Sequence, residues 1–222
     1  MWAFDYGADD VTLQNMIPSV KAIADLDDSA ADIADQVDYV REVTGSDKVN
    51  LVGHSQGGMH IKTYTQMHNG ADHVSHAVAL GGNFHGTTLN GQGEALSKII
   101  AFAPHLAAFM ASTAGIQQVV GSEFIKRLNA LPDTAPGVLY TSIYSPGDTT
   151  VTPNSSSQLA LGDGADVVNL DLSEVCGVAP RHDKLPTDPT VLSQVIFGLK
   201  RAPGEGPDPA TCASGEPSVV GS

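Results

Sequence analysis

Ser55 is the residue in this chain whose setting most clearly suggests chemistry. It lies in Gly53-His54-Ser55-Gln56-Gly57, after the apolar, β-branched run Val49-Asn50-Leu51-Val52 and before a helix-compatible segment reaching about Gly70. The run predicts a strand buried on both faces. Strand, Gly-x-Ser-x-Gly turn and helix together hold a serine in strained backbone geometry with its Oγ presented above a sheet. Glycines two residues to either side keep colliding side chains out of the turn. The helix that follows aims its first amides at the reacting atoms, which favours a developing oxyanion. The pentapeptide alone is common, and the competing reading is a plain glycine-rich link between strand and helix. The flanking elements favour the nucleophile.

A serine becomes a nucleophile when a base takes its proton and an acid fixes the tautomer of that base. Where a Gly-x-Ser-x-Gly turn of this strand-to-helix kind carries the nucleophile, its partners follow in the order Ser, Asp or Glu, His, on loops at later strand ends. Asp148 comes directly after the predicted strand Val138–Tyr144, in Ser145-Pro146-Gly147-Asp148. His182 follows the predicted strand Val167–Leu170 and precedes the last helix; of the eight histidines it alone comes after a candidate acid. Asp163 and Asp171 could replace Asp148, but neither follows a strand so closely. Asp183 adjoins His182 and reaches round to its Nδ1 with difficulty. Among the other histidines, His54 is too near Ser55 in sequence to act on it. His60 and His68 belong to the following helix, in satisfied or exposed roles. His73 and His76, three apart at a strand start, face opposite sides and make a poor metal pair. His85 and His105 fall in the long segment between two strands, where His85 could line a pocket.

The elements that must carry these residues read as alternating strands and helices. Trp2–Asp5 predicts a short strand ended by Tyr6-Gly7, and Asp9–Ser19 a loop or short helical piece broken at Pro18. Asp28 or Ser29 can cap a helix with Ile33, Val37, Val40 and Val43 on one face, stopped at Gly45. Val74–Leu80 is the strand after the central helix. Phe84 to about Leu131 shows no strand pattern; its apolar stretch Ile99–Met110 is broken by Pro104. That segment is either a pair of core-packing helices or a cap carrying the substrate site. Asp188-Pro189 opens a final amphipathic helix with Val191, Leu192, Val195, Ile196 and Leu199. The expected organisation is one α/β domain over residues 1–200, with the cap at about 84–131, and a Pro/Gly-rich tail over 201–222.

Composition bounds the partners. The chain has 222 residues, 41% hydrophobic, and a net charge of −14 with 11 Lys plus Arg. Such a charge is repelled by a nucleic-acid backbone or an anionic membrane surface, so no nucleic-acid partner is expected, while transient contact with a neutral lipid interface stays compatible. No apolar run approaches the ~20 residues of a membrane span. Cys176 and Cys212 are the two cysteines. As a disulfide they would close a loop of about 37 residues, worth about 3–4 kcal/mol on the chain-entropy model. The alternative is two free thiols in a cytosolic protein. Cys212 sits in a tail with nothing else to pack against, which favours the disulfide and an extracytoplasmic location. No signal peptide is visible, since the chain opens directly into Met1-Trp2-Ala3-Phe4-Asp5.

Several segments together carry a resemblance: Ala3-Phe4-Asp5-Tyr6-Gly7, Val52-Gly53-His54-Ser55-Gln56-Gly57-Gly58, Gly81-Gly82-Asn83-Phe84-His85-Gly86-Thr87, Tyr144-Ser145-Pro146-Gly147-Asp148, and His182 with Leu185-Pro186-Thr187-Asp188-Pro189. Over about residues 1–212 the chain resembles the secreted triacylglycerol lipases of high-GC Gram-positive bacteria, the class 2 lipase group of the α/β-hydrolase superfamily. The late cysteine pair is similar as well. The resemblance implies a mostly parallel α/β sheet flanked by helices, a triad of Ser55, Asp148 and His182, and the Gln56 amide as one oxyanion donor. It implies esters of fatty acids as substrates, with no cofactor and no metal. Lipases of this group carry a His-Gly element upstream of the Phe-Asp-Tyr-Gly segment that supplies the other oxyanion amide. None precedes Met1, so the resemblance implies an N-terminally incomplete domain with a missing strand between Trp2–Asp5 and Val49–Val52, leaving those two about 10 Å apart. The alternative function is a non-catalytic or weakly active hydrolase-like remnant that lacks half of the oxyanion site.

Overall fold

The computed structural model describes residues 1–8, 21–103 and 111–212. The expectations for Asp9–Ser19, and for the part of the apolar stretch over residues 104–110 with His105, lie outside the described residues. Four strands, β1 Val49–His54, β2 Val74–Leu80, β3 Leu139–Tyr144 and β4 Asp166–Asp171, form a parallel sheet in the order β1-β2-β3-β4. Successive side chains of a strand point to opposite faces, so β2 and β3, covered on both, feed two cores. Ala77 and Ala79 of β2 and Tyr140 of β3 meet Val37 of α1 (Leu26–Thr44) and Ile61 and Tyr64 of α2 (Gln56–Met67). Val78, Leu80, Ile143 and Leu170, out of phase with them, meet Val191, Val195 and Phe197 of the final helix Pro189–Lys200.

The caps largely follow the sequence. Asp188 accepts hydrogen bonds from the Thr190 and Val191 amides with Pro189 in the first turn of the final helix, and α1 stops at Gly45, whose φ of 67° suits glycine. The start of α1 differs from expectation. Its cap is Asp25, accepting from the Asp27 amide, so Asp27 and Asp28 occupy the first turn, where negative charge complements the helix dipole. Ser29, expected as a cap, is fully buried inside the helix.

Two strand expectations are corrected. Residues 1–8 form no strand, although, as expected, they make no ladder with β1. Instead the segment lies on the helices: the Trp2 ring meets Tyr39 of α1 at 5.6 Å, and Tyr6 meets His60 of α2 edge-on at 5.4 Å. Four alternating residues are too few to define a strand without a partner, and the aromatic side chains found helical neighbours. The second correction is β1 itself. Among the described residues it is the sheet edge, covered on one face only: Leu51 packs on the α1/α2 side, while Asn50 is exposed and Val52 is 52% exposed. The final helix packs over β2 and β3 instead.

Between β2 and β3 the chain forms α3 (Gly93–Phe102), α4 (Thr113–Gln117) and α5 (Glu123–Asn129). Leu26, Met59, Ala114, Phe124, Ile125 and Leu128 make a third core that fixes α4 and α5 to the body. Gln117 ties α4 to the start of α1: its Oε1 accepts from the Leu26 amide at 2.8 Å and its Nε2 donates to Asp25 at 2.7 Å. After β4 come α6 (Leu172–Cys176) and α7 (Pro189–Lys200), the final helix. Cys176 and Cys212 form a disulfide. No helix among the described residues is long and apolar enough to cross a membrane.

Candidate active site

Ser55 caps α2 at the end of β1 with φ 56° and ψ −120°, a conformation that L-residues rarely adopt and that costs of order 1–3 kcal/mol. The strain is held from both sides. The Ser55 amide donates to Leu80 O of β2 at 2.9 Å, and the Ser55 carbonyl accepts from Gly58 and Met59 of the new helix. A serine at a helix N-cap ordinarily turns its hydroxyl onto the helix amides. This one makes no such bond. Gly53 behaves as expected, since a Cβ there would overlap the Gly57 carbonyl. Gly57 does not: a Cβ there would meet only the Tyr6 hydroxyl at 3.9 Å, whereas one on Gly58 would lie 2.8 Å from Gly82 Cα. The tight contact behind the turn falls at Gly58.

Asp148 follows β3 and is 4% exposed. Its Oδ1 accepts from the Thr150 and Val151 amides at 2.7 and 3.0 Å, and its Oδ2 accepts from His182 Nδ1 at 2.6 Å. Burial pushes the Asp148 carboxyl up, but the hydrogen bonds from His182, Val151 and Thr150 outweigh it and hold the group below the ordinary carboxylate range. The carboxylate therefore stays ionised, and His182 carries its proton on Nδ1, leaving Nε2 as the acceptor. His182 opens a single 3-10 turn, His182–Lys184, in the loop between α6 and α7. That loop is seated by Leu185, which is fully buried, and by a close approach at Gly147, where a Cβ would overlap the Ala179 carbonyl.

Gly81 marks where these parts meet. With φ +52°, it follows the Leu80 that accepts from Ser55, and a Cβ on it would stand 3.1 Å from Asp148 Oδ2 and 3.3 Å from His182 Nδ1. The serine turn and the Asp–His pair therefore share the C-terminal end of the sheet, where open α/β sheets bind ligands. His54 joins them: its ring lies 4.6 Å from that of His182, and its Nε2 is 3.1 Å from the His182 carbonyl oxygen. The amide of Gln56, at the first helical position, has no acceptor within its own helix. Its side chain is turned away, donating to Ala22 O at 3.1 Å.

Comparison with known proteins agrees with this architecture. Residues 9–98 match a family described as alpha/beta hydrolase fold. Aspergillus fumigatus lipase B superposes with a TM-score of 0.69 at 24% identity, over 89% of this chain and 48% of that one. The chain has the α/β-hydrolase fold. Two further structures share it: Bacillus licheniformis lipase BlEst2 in its propeptide form (TM-score 0.57, 19% identity, 82% of this chain and 42% of that one) and the lin2722 gene product of Listeria innocua (0.55, 16%, 84% and 72%). The chain spans less than half the length of the two lipases. No curated protein sequence matches it significantly.

On this hydrolase fold the remaining histidines sort by environment. His60 is 1% exposed, its Nδ1 set against the Thr63 hydroxyl at 3.1 Å; burial, and secondarily His68, push its pKa down to about 3. His76 Nε2 donates to Arg201 O at 3.2 Å. His85, which the sequence left as a pocket-lining candidate, belongs to a charged cluster behind the turn. Its Nε2 stands 3.3 Å from Asp133 Oδ2, while Lys62 of α2, with a fully buried side chain, donates to Asp133 Oδ1 at 2.7 Å. Of the residues singled out in the sequence, the structure pairs Asp148 with His182 and sets Ser55 at the strand-to-helix turn. Nothing in the sequence pointed to Gly81 and Gly147, whose roles come from loops meeting across the sheet, or to Lys62, whose type alone predicts exposure.

Proposed function

We propose that this protein is a serine carboxylic-ester hydrolase working through an acyl-enzyme on Ser55. The observation that carries the reading is a strained, uncapped serine at a strand-to-helix turn, sharing a sheet end with a buried Asp148–His182 pair bonded at 2.6 Å. His182 takes the Ser55 proton through Nε2 as Oγ attacks the ester carbonyl, and returns it to the leaving alcohol. Asp148 holds the tautomer and stabilises the imidazolium that forms. The Gln56 amide, aimed from the helix start, is one donor to the oxyanion. Water then repeats the cycle on the acyl-enzyme and releases the acid.

Esters of fatty acids, triacylglycerols among them, are the substrate class favoured by the motif resemblance and by the fold shared with a fungal lipase. The segment over 84–131 serves as the cap over the acyl chain. The disulfide supports an extracellular setting. The test is a p-nitrophenyl ester series from acetate to palmitate with Ser55→Ala as control, alongside labelling by a fluorophosphonate. Ester hydrolysis that falls by about 10⁴-fold or more in Ser55→Ala, with stoichiometric labelling of Ser55, is the expected result. Cleavage unchanged in Ser55→Ala removes the serine from the mechanism. Folded protein that neither cleaves nor labels is a non-catalytic relative.

A further inference from the structure

We infer that His54 is a positioning residue for His182, holding both the main chain and the ring of the proposed base. The inference rests on the Ser55–His182–Asp148 reading above and extends it to a residue with no part in the proton transfer itself.

A base in a triad must keep one nitrogen on its carboxylate and the other on the serine through two proton transfers. The bond from Nδ1 to Asp148 holds one corner of the His182 ring, and a single hydrogen bond acts as a hinge about which the ring can still swing. The loop around it contributes only one 3-10 turn. Two contacts from His54 remove that freedom. The His182 carbonyl is an acceptor only, so His54 Nε2–H donates to it at 3.1 Å and fixes the backbone from which the base hangs. The His54 ring then covers the His182 ring, with centroids 4.6 Å apart and planes tilted by 39°.

The anchor itself is rigid. His54 is the last residue of β1, registered against Leu80 of β2 in the parallel ladder, and it adjoins Ser55 in the chain. One residue therefore ties the nucleophile turn to a loop 128 residues away. Its ring must be neutral to serve. Burial, and then the nearby His182, push the His54 pKa down, while its bond to the His182 carbonyl and the charge of Asp148 push the other way with less effect. With Nε2 carrying the proton, Nδ1 is left as a lone pair, and no second positive charge opposes the imidazolium formed on His182 during acyl transfer.

Three variants separate the two contacts: His54→Phe keeps a ring without the donor, His54→Gln keeps a donor without the ring, and His54→Ala loses both. Steady-state kinetics on p-nitrophenyl acetate should show kcat lowered about tenfold in Phe and in Gln and about 10²-fold in Ala, with KM within about twofold throughout. Partial rescue by either conservative variant distinguishes positioning from loss of fold. Wild-type kcat in all three variants, or a raised KM with kcat unchanged, overturns the inference. A second readout does not need turnover. In the Ser55→Ala background, the low-field proton resonance of His182 Nδ1–H should broaden or move upfield when His54→Phe is added. An unmoved, equally sharp resonance overturns the inference. If the wild type cleaves no ester, the function reading fails on its own, and this resonance still decides the role of His54.

Discussion

At the residue scale, the Asp148 carboxylate is the most heavily committed group in the site, each oxygen engaged and three hydrogen bonds accepted in a nearly dry setting. Its folded-state pKa lies below the ordinary value, so its contribution to stability is complete above about pH 4 and is lost as pH falls through the depressed value. Asp148→Asn keeps the size but removes the charge and favours the wrong His182 tautomer. Its kcat on p-nitrophenyl esters should fall by about 10⁴-fold with little change in KM. A fall under tenfold would exclude Asp148 from orienting the base. Ser55, Asp148 and His182 stood out as candidates in the sequence because each directly follows a strand or sits in the one loop that chain order permits. His54 did not, because sequence distance shows only that it cannot act on its neighbour, and says nothing of a histidine 128 positions later.

Helix α2 illustrates the element scale. Its start was readable from the Gly-x-Ser-x-Gly turn, and Ile61 and Tyr64, at helical spacing, pack in the core. The period gave no warning that Lys62 is buried beside them. The fold accepts that lysine because Asp133, from the connection before β3, reaches it at 2.7 Å and also receives the Ala160 amide and His85. Burial pushes the Asp133 carboxyl up, but the bonds from His85 and Lys62 more than reverse this and hold it well below the carboxylate range. The pair is therefore intact above about pH 4 and fails only as pH drops through the depressed value. Asp133→Asn should cost about 3–5 kcal/mol in urea unfolding at pH 7, since it strands a buried ammonium, whereas Asp133→Asn combined with Lys62→Met should recover most of that loss. Equal, small effects of both would show the pair to be solvated. Trp2–Asp5 and β1 show where local pattern runs out: alternation and apolarity state what a segment tolerates, while its neighbours decide whether it pairs and which face is covered.

For the molecule as a whole, the chain after β4 is held by two devices. Arg201, 2% exposed, donates to the Thr141 hydroxyl and to the Tyr140 and Asp166 carbonyls and pairs with the Asp166 carboxylate, closing the end of α7 over β3 and β4. The Cys176–Cys212 disulfide joins α6 to the tail and brackets the loop bearing His182. Thiol titration of denatured, unreduced protein should find no free sulfhydryl. Cys176→Ser together with Cys212→Ser should lower stability by about 3–4 kcal/mol, and because α6 leads directly into the His182 loop, ester hydrolysis should decline before global unfolding as temperature rises. Loss of activity that coincides with the unfolding transition would show the loop to be held independently of the bridge. Both the pairing and its place beside the His182 loop could be expected from the sequence, since the two cysteines flank that loop and the last helix.

The backbone at position 55 bears on what a calorimeter would see with no substrate present. A φ of 56° with ψ −120° is a region that glycine enters freely and serine resists. Ser55→Gly should therefore melt higher than the native protein, by about 1 kcal/mol after allowing for the looser unfolded chain, while Ser55→Ala, which keeps the Cβ, should not. On the proposed mechanism that glycine variant is inert, so the sturdier molecule would be the one without a nucleophile. With Ser55 as the proposed nucleophile, heat resistance and catalysis would pull in opposite directions at this position, and a screen for thermal tolerance alone would drift away from activity.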